Sequence, residues 1–220
     1  MQTHSEENYL KAIWKIVQQS GESVTTNEIA AQVNTRAASV TDMLIKLSDK
    51  KLINYKPYQG VMLTREGKRV AVEVVRKHRL WEYFLVEQLK FKWDEVHDIA
   101  EQLEHIHSPS LIEKLDHFLG YPKVDPHGDP IPDRTGKISG AHNIPLSKLG
   151  KAKKGIMTGV GDHSVAFLRF LDKNNIQLGH SIEIKKITDY DHSLEISVNR
   201  KKNIHISNEV AKNILVKKTR

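Results

Sequence analysis

Residues 36–64 read RAASVTDMLIKLSDKKLINYKPYQGVMLT, and this stretch decides the fold of the N-terminal part of the chain. Its first half has apolar residues at helical spacing, which predicts a helix over about 36–50. The apolar positions are Val40, Met43, Leu44 and Leu47. The second half predicts two short strands, 53–56 and 61–64, around a turn that contains proline and glycine.

Two further helices precede this stretch. Residues 5–20 show an amphipathic pattern with Ser5 as the predicted N-cap, and Thr26 is the predicted cap of a short helix that runs through Val33. Three helices followed by a hairpin is the order of a winged helix-turn-helix domain.

The middle of the chain is predicted to be helical over 65–89, 93–106 and 108–119. Residues 121–136 contain four prolines and two glycines, which disfavour regular structure and predict a linker.

The last part of the chain predicts a small β-barrel, because 181–187 and 193–199 alternate apolar and polar residues. A helix near 164–174 is expected to pack on this barrel. The predicted fold is therefore mainly α with small β. Its predicted domains are a winged helix-turn-helix (1–64), a helical domain with a proline-rich linker at 121–140 (65–140), and a β domain (141–220).

Composition narrows the function classes. The 220 residues carry a formal net charge of +7, which favours a polyanionic partner, and the absence of cysteine excludes disulfide scaffolds and thiolate metal sites. No run of 18 apolar residues and no signal-peptide core is present, so we expect a cytoplasmic protein. Residues 65–140 hold 14 acidic and 12 basic residues and six of the 12 histidines. This concentration of carboxylates and imidazoles indicates a cation site.

The predicted helix at 93–106 places polar residues in a strip beside its apolar face, at 100° per residue. The strip consists of His97, Glu101, Glu104 and His105. On the preceding helix His78 and Glu82 are four residues apart and share a face. These side chains could coordinate a divalent metal, although pairs at this spacing are more often part of a solvated helix face.

The outer face of the third helix has the chemistry of a major-groove reader, with small polar residues and cations. The candidate base contacts are Ser39, Thr41 and Asp42, and the candidate phosphate contacts are Arg36, Lys46, Lys56 and Tyr58. Binding of a protein instead of DNA is the alternative for such a domain.

Nearly the whole chain resembles the diphtheria toxin repressor family of metal-dependent transcriptional regulators. The similar segments are SEENYLKAIWKI (5–16), RKHRLWEYFL (76–85), VHDIAEQLEH (96–105), DPHGDPIP (125–132) and residues 145–218. The resemblance implies that the middle domain is a dimerization domain and that the last is an SH3-like, FeoA-type β-barrel.

The resemblance also implies two metal sites per subunit. One is formed by His78, Glu82 and His97, and the regulatory one by Glu101, Glu104 and His105. Asn8 occupies the ligand position of the first helix, and either Asp162 or His163 is the candidate ligand from the C-terminal domain.

The residue types at these positions bear on the choice of metal. Glu101 stands where iron-responsive members tend to have cysteine, and its hard oxygen ligands suit Mn(II), with Fe(II) as the alternative. Lys11 stands where the binuclear manganese type has a glutamate.

These observations lead to the hypothesis of a homodimeric repressor, not an enzyme, that binds a palindromic operator when Mn(II) or Fe(II) is bound. Neither a membrane nor a small organic substrate is an expected partner. The candidate interface residues are Leu103, Ile106, Leu111, Leu115 and Phe118, which would otherwise belong to the core of one chain. Two alternatives remain open, a metal-independent winged-helix protein and a dinuclear metal-dependent hydrolase.

Overall fold

The computed structural model describes residues 2–21, 23–56, 59–139 and 143–219. The chain divides into two compact units. Unit 1 comprises Met1–His78, Glu101–Lys114 and Pro132–Lys137, and unit 2 comprises Arg79–Ala100, Leu115–Ile131 and Ile138–Arg220.

Unit 1 begins with three helices and a hairpin, as predicted for a winged helix-turn-helix. The elements are α1 (His4–Ser20), α2 (Thr26–Gln32), α3 (Ala37–Asp49), β1 (Ile53–Lys56) and β2 (Gly60–Leu63). The two strands are antiparallel, with Ile53 opposite Leu63, and Val24 forms a bridge to Val61 on the far side of β2. Buried apolar residues from all three helices form the core, including Leu10, Ile29 and Leu44.

The predicted helix caps were wrong by one or two residues. Thr3, not Ser5, caps α1, because its hydroxyl accepts from the Glu6 backbone while the Glu6 carboxylate accepts from the Thr3 backbone. Thr25, not Thr26, caps α2 through the same reciprocal arrangement with Glu28. In each case the glutamate three residues after the threonine completes a capping box, and this pairing marks the true start of the helix.

Three further helices follow: α4 (Arg65–Glu87), α5 (His97–Leu103) and α6 (Pro109–Phe118). The prediction of a helix over 93–106 was too long. At the start, Glu95 folds back on Lys92 through both its backbone and its carboxylate. At the end, Glu104 and His105 lie in a turn just beyond α5.

The proline-rich segment is irregular, as predicted, but parts of it are packed rather than solvated. An isolated bridge joins Val124 and Pro130, and the side chains of Asp125 and His127 are buried. At Gly128 the backbone has φ +87°, and an added Cβ would lie 2.0 Å from the Thr158 carbonyl oxygen. Only glycine permits both this conformation and this close approach.

The C-terminal part of unit 2 is one antiparallel sheet with two helices. Its elements are β3 (Ile144–Pro145), a 3₁₀ turn (Leu146–Lys148), β4 (Lys154–Val160), α7 (Val165–Lys173), β5 (Ser181–Ile187), β6 (Leu194–Val198), β7 (Lys202–Ile206), α8 (Asn208–Asn213) and β8 (Ile214–Lys218). The strand order is β3-β8-β4-β5-β6-β7. Ser164 caps α7, and Phe167, Leu168 and Leu171 of this helix join the apolar core of the sheet. The predicted β domain and its helix are thus present.

None of the described helices is both long enough and apolar enough to span a lipid bilayer.

Candidate metal centres and nucleic-acid interface

A buried cluster of two carboxylates and one imidazole lies in unit 2. Glu82 comes from α4, and Asp125 and His127 come from the proline-rich segment; we call these three residues the loop cluster. One ligand atom of each lies within 4.8 Å of the others, and all three residues are buried. The segment that composition predicts to be a linker therefore contributes two of the three side chains.

The imidazole of His127 is oriented by its neighbours. Its Nε2 lies 2.8 Å from the Trp93 carbonyl oxygen, to which it donates, and its Nδ1 lies 3.5 Å from Glu82 Oε2. The backbone carbonyl of the same residue accepts from the Val160 N–H of β4 at 3.0 Å. Nδ1 is therefore the nitrogen that faces the carboxylate, as a metal ligand would require.

Asp125 is held by the turn that follows it. Its Oδ1 accepts from the backbone N–H groups of His127 and Asp129, each at 2.9 Å. Its Oδ2 is buried and accepts no hydrogen bond within the described part of the chain, although Arg79 Nε is 3.6 Å away. An oxygen of this kind is costly to bury and is suited to a cation.

The titration of the loop cluster reflects its burial. Burial, together with the charges of Glu82 and Asp129, raises the pKa of Asp125 to about 7. Burial alone would lower the pKa of His127, but attraction to Glu82 and Asp125 raises that pKa to about 9. Two carboxylates that share a buried space repel each other, and a positive charge between them relieves the repulsion.

Two more histidines border the loop cluster. His97 Nδ1 is 3.3 Å from Glu82 Oε1. The ring of His163 stacks on His127 with centroids 4.7 Å apart, and its Nε2 is 3.9 Å from Asp129 Oδ2. Of the two candidates from the C-terminal domain, His163 thus reaches this region, while Asp162 Oδ1 accepts from the Ser164 backbone at the start of α7.

A second group of candidate ligands lies in unit 1, and a lysine is part of it. Lys11 Nζ donates to Glu101 Oε1 at 2.5 Å and to both oxygens of Glu104, at 2.6 and 2.8 Å. His78 Nδ1 is 2.6 Å from Glu104 Oε2. We call Lys11, His78, Glu101 and Glu104 the lysine cluster. The resemblance placed His78 with Glu82 and His97, and it did not predict this contact with Glu104.

The remaining two candidates of unit 1 lie near the start of α1. His105 Nδ1 is 2.6 Å from Glu7 Oε2, and its ring stacks on His4 with centroids 4.4 Å apart. Asn8 Oδ1 is buried and has no hydrogen-bond partner among the residues that the structure describes. A buried amide oxygen without a hydrogen-bond partner in this part of the chain has the chemistry of a ligand for a hard cation.

The sequence prediction missed three residues of these groups: Glu7, Asp125 and His127. Glu7 directly precedes Asn8, but an acidic residue just after a predicted helix N-cap is common and does not by itself indicate a metal ligand. The signal for the other two was the Asp-x-His spacing inside DPHGDPIP, a segment whose prolines and glycine predict a linker and not a metal site.

The candidate DNA-binding residues are only partly free. Arg36, Ser39, Asp42 and Lys56 are exposed, and the half-buried Thr41 donates its hydroxyl proton to the Ala37 carbonyl. Lys46 Nζ lies 3.1 Å from Oε1 of the buried Glu6, which Lys50 also contacts, so its charge already has a partner. Tyr58 lies outside the described residues.

The candidate interface residues differ in exposure. Ile106, Leu111 and Phe118 are exposed, the last with 64% of its surface accessible, and Leu103 is half-buried. Leu115 is buried within its own chain, which leaves little of it for a partner.

Comparisons with known proteins identify the family of each part of the chain. Three family models match consecutive parts of the chain: the N-terminal DNA-binding domain of iron-dependent repressors (1–61), their metal-binding and dimerisation domain (64–133), and the FeoA domain (144–218).

Individual relatives match over long spans. An uncharacterised HTH-type transcriptional regulator of Methanocaldococcus jannaschii is 32% identical over 117 residues, which are 53% of this chain and 94% of that protein. The HTH-type transcriptional regulator MntR of Oceanobacillus iheyensis is 30% identical over 57% of this chain and 84% of its own. A solved manganese-dependent transcriptional repressor in complex with manganese is 30% identical, with a TM-score of 0.91 over 97% of this chain and 100% of the other.

Proposed function

The chain belongs to the diphtheria toxin repressor family of metal-dependent transcriptional repressors, and on that premise we propose that it binds operator DNA as a homodimer when Mn(II) or Fe(II) occupies its buried sites. The observation that carries the proposal is the loop cluster. Glu82, Asp125 and His127 combine buried oxygen and nitrogen donors, and one of these oxygens accepts no hydrogen bond from the described chain.

The donor set supports Mn(II) as the preferred ion and Fe(II) as the alternative. Carboxylate and amide oxygens with imidazole suit hard or borderline divalent ions, and the described candidate sites contain no sulfur ligand because the chain has no cysteine. Two sites per subunit are proposed. One is the loop cluster, supplemented by His97 and His163, and the other comprises Glu101, Glu104 and His105, with Asn8 and His78.

The role of the ion in this proposal is thermodynamic. A divalent ion stabilises the conformation in which the buried carboxylates lie close together. If this conformation is also the one that binds DNA, bound metal increases the affinity for DNA. Coupling of this kind is reciprocal, and ~1–3 kcal/mol corresponds to a change of about 5–150-fold in affinity. Metal should therefore tighten DNA binding, and DNA should tighten metal binding by the same factor.

DNA recognition is assigned to the exposed face of α3. Ser39, Thr41 and Asp42 are proposed to reach base edges, and Arg36 and Lys56 are proposed to contact phosphates. In a homodimer two copies of α3 would read a palindrome whose half-sites are spaced by about one helical turn, roughly 34 Å, or a multiple of it.

The test is a selection that needs no knowledge of the operator. The full-length protein is used to enrich binding sequences from random duplex DNA, in parallel with Mn(II), with anaerobic Fe(II) and with EDTA. We expect a palindromic sequence to be enriched only with metal, and binding of the enriched duplex to rise with free Mn(II). Equal binding after thorough removal of metal would contradict the proposal and favour a metal-independent DNA-binding protein.

A further inference from the structure

Lys11 places a positive charge between two carboxylates that are candidate metal ligands. Its Nζ lies 2.5 Å from Glu101 Oε1 and 2.6 Å from Glu104 Oε1, and its side chain is only 6% exposed. The Glu104 side chain is fully buried. The ammonium group thus forms a buried ion pair with Glu104, whereas the side chain of Glu101 is 32% exposed.

Both oxygens of Glu104 are engaged within unit 1. Oε1 accepts from Lys11, and Oε2 is 2.8 Å from Lys11 Nζ and 2.6 Å from His78 Nδ1. A divalent ion that coordinates these oxygens would have to lie next to the ammonium group, and the two positive charges would repel each other. Binding of the ion therefore requires Lys11 to leave.

Asn8 lies on the same face of α1 as Lys11, but it offers an oxygen atom instead of a positive charge. Asn8 precedes Lys11 by three residues on α1, and its buried Oδ1 has no hydrogen-bond partner in the described ranges. The same helix therefore offers one atom that would gain from a cation and one group that a cation would displace.

We propose that Lys11 is a tethered internal cation that competes with the divalent metal for Glu101 and Glu104, and that it raises the metal concentration at which this site fills. The inference rests on the proposed function, because it concerns the metal that the function requires. Lys11 neutralises the carboxylates at low metal, holds α1 to Glu101 and Glu104, and exchanges for the ion at high metal.

The chain contains a matched control in the same unit. Lys50 Nζ lies 2.8 Å from Oε1 and from Oε2 of Glu6, another carboxylate with no exposed surface. This pair is also a lysine–glutamate contact to a buried carboxylate, but neither partner is a candidate metal ligand. A variant of Lys50 should therefore lose stability without any effect on metal affinity.

The experiment compares Lys11→Met, Lys11→Gln and Lys50→Met in the full-length chain, each with an additional Glu82→Gln change that weakens the loop cluster. Mn(II) binding is measured by equilibrium dialysis with paramagnetic resonance detection of the free ion, and thermal unfolding is recorded with and without Mn(II). We expect both Lys11 variants to bind Mn(II) about tenfold more tightly or better, and to show a larger rise in melting temperature on Mn(II) addition than the Glu82→Gln parent. Lys50→Met should match the parent in Mn(II) affinity.

Lower stability of the Lys11 variants with unchanged or weaker Mn(II) affinity would overturn the proposal, since Lys11 would then be a structural residue only. If Lys11→Met is unfolded without metal, the Mn(II) affinity of Lys11→Gln is the deciding measurement, because glutamine retains a hydrogen-bond donor but carries no charge. The outcome is separable from that of the proposed function. A wild-type protein that binds DNA equally with and without metal would contradict the function, whatever the Mn(II) affinity of these variants.

Discussion

His127 Nδ1 lies 3.5 Å from Glu82 Oε2, although the two residues are 45 positions apart and one of them comes from a proline-rich loop. Both side chains are almost completely buried. The contact joins α4 to a segment without regular structure, and the same segment brings the carboxylate of Asp125 into the buried space beside Glu82.

Glu82→Gln should weaken Mn(II) binding and reduce the number of tightly bound ions by one per chain. The change removes a buried ligand charge with little change of shape, so the expected loss of affinity at this site is at least about 10–100-fold, the range seen for weaker perturbations of metal sites. Calorimetric titration with Mn(II) measures both quantities. Glu87→Gln is the control, because Glu87 is exposed on the same helix; equal loss in both variants would contradict the assignment.

Gly128→Ala should strongly destabilise unit 2. At φ +87° an alanine is strained, and its Cβ would meet backbone atoms of β4 at 2.0 Å, so we expect a loss of about 3–5 kcal/mol in the free energy of unfolding. Gly120→Ala is the matched control, since its φ is +72° but, beyond its chain neighbours, no atom of the described residues lies within 4 Å of the added Cβ. That variant should lose only about 1–2 kcal/mol. Urea unfolding compares the two, and similar losses would show that the close approach to β4 is not important.

Arg36→Ala and Lys56→Ala should each lower the slope of log affinity against log salt by about one, if each contacts a phosphate. Binding of the selected duplex is measured across a salt series with saturating Mn(II). Lys173→Ala, an exposed change in α7, should leave the slope unaltered. Lys46→Ala should change it less than Arg36→Ala does, because Lys46 already pairs with Glu6. Unaltered slopes for both Arg36 and Lys56 variants would show that α3 and β1 are not against DNA.

Protonation of Glu6 should lower the free energy of unfolding at acidic pH. Burial alone would raise its pKa, but Lys50, the Thr3 backbone and Lys46 together lower that pKa from 4.5 to about 2. Because the pKa of Glu6 is lower in the folded than in the unfolded state, its carboxylate makes its full contribution to the free energy of unfolding above pH 4.5. This contribution is lost as the pH falls toward 2. Glu6→Gln should cost about 1–3 kcal/mol at neutral pH, and its deficit should shrink between pH 4.5 and 2. Glu209→Gln, an exposed control, should show no such trend in acid unfolding curves; a constant deficit for Glu6→Gln would exclude this titration as the cause.

Phe118→Asp should weaken self-association. Its ring is 64% exposed at the end of α6, and a charge there would be buried in the proposed dimer, so the dimer dissociation constant should rise by at least about tenfold. Sedimentation velocity over a range of protein concentrations measures the change. Tyr190→Asp, at a side chain that is 96% exposed in the C-terminal domain, is expected to dimerise normally. An unchanged constant for Phe118→Asp would place the interface elsewhere.

The sequence predicts the order of elements well and their ends poorly. Apolar periodicity marks α1, α3 and α4 because each buries one face, and alternation marks β5 and β6. The start of α5 could not be found in this way. Trp93 and Val96 continue the helical pattern of apolar positions, but the Glu95 carboxylate accepts from the Lys92 backbone and closes a turn before the helix begins. The contacts of Trp93 explain why its apolar character is misleading. Its indole donates to Asp172 and it packs against the core of the sheet, so its apolar character does not indicate a helix.

The residue types of the candidate sites could be predicted from the sequence, but the contacts between these residues could not. Spacing within the predicted helix groups His97, Glu101 and Glu104 as candidates, and the grouping does not depend on where the helix ends, because the turn that holds Glu104 directly follows α5. It cannot show that Asp125 and His127 fold back onto Glu82, because that contact depends on the backbone approach at Gly128. Nor can it show that Lys11 lies between two glutamates about 90 positions away.

The first and last strands of the C-terminal domain, β3 and β8, are neighbours in its sheet, where Ile144 is paired with Val216. A domain whose first and last strands are adjacent can be removed from a chain or inserted into another without disrupting its own sheet. Excision would also remove Val160 and Thr158, the backbone neighbours of His127 and Gly128. A truncated chain would therefore lose the support of the segment that carries Asp125 and His127, even though both residues would still be encoded.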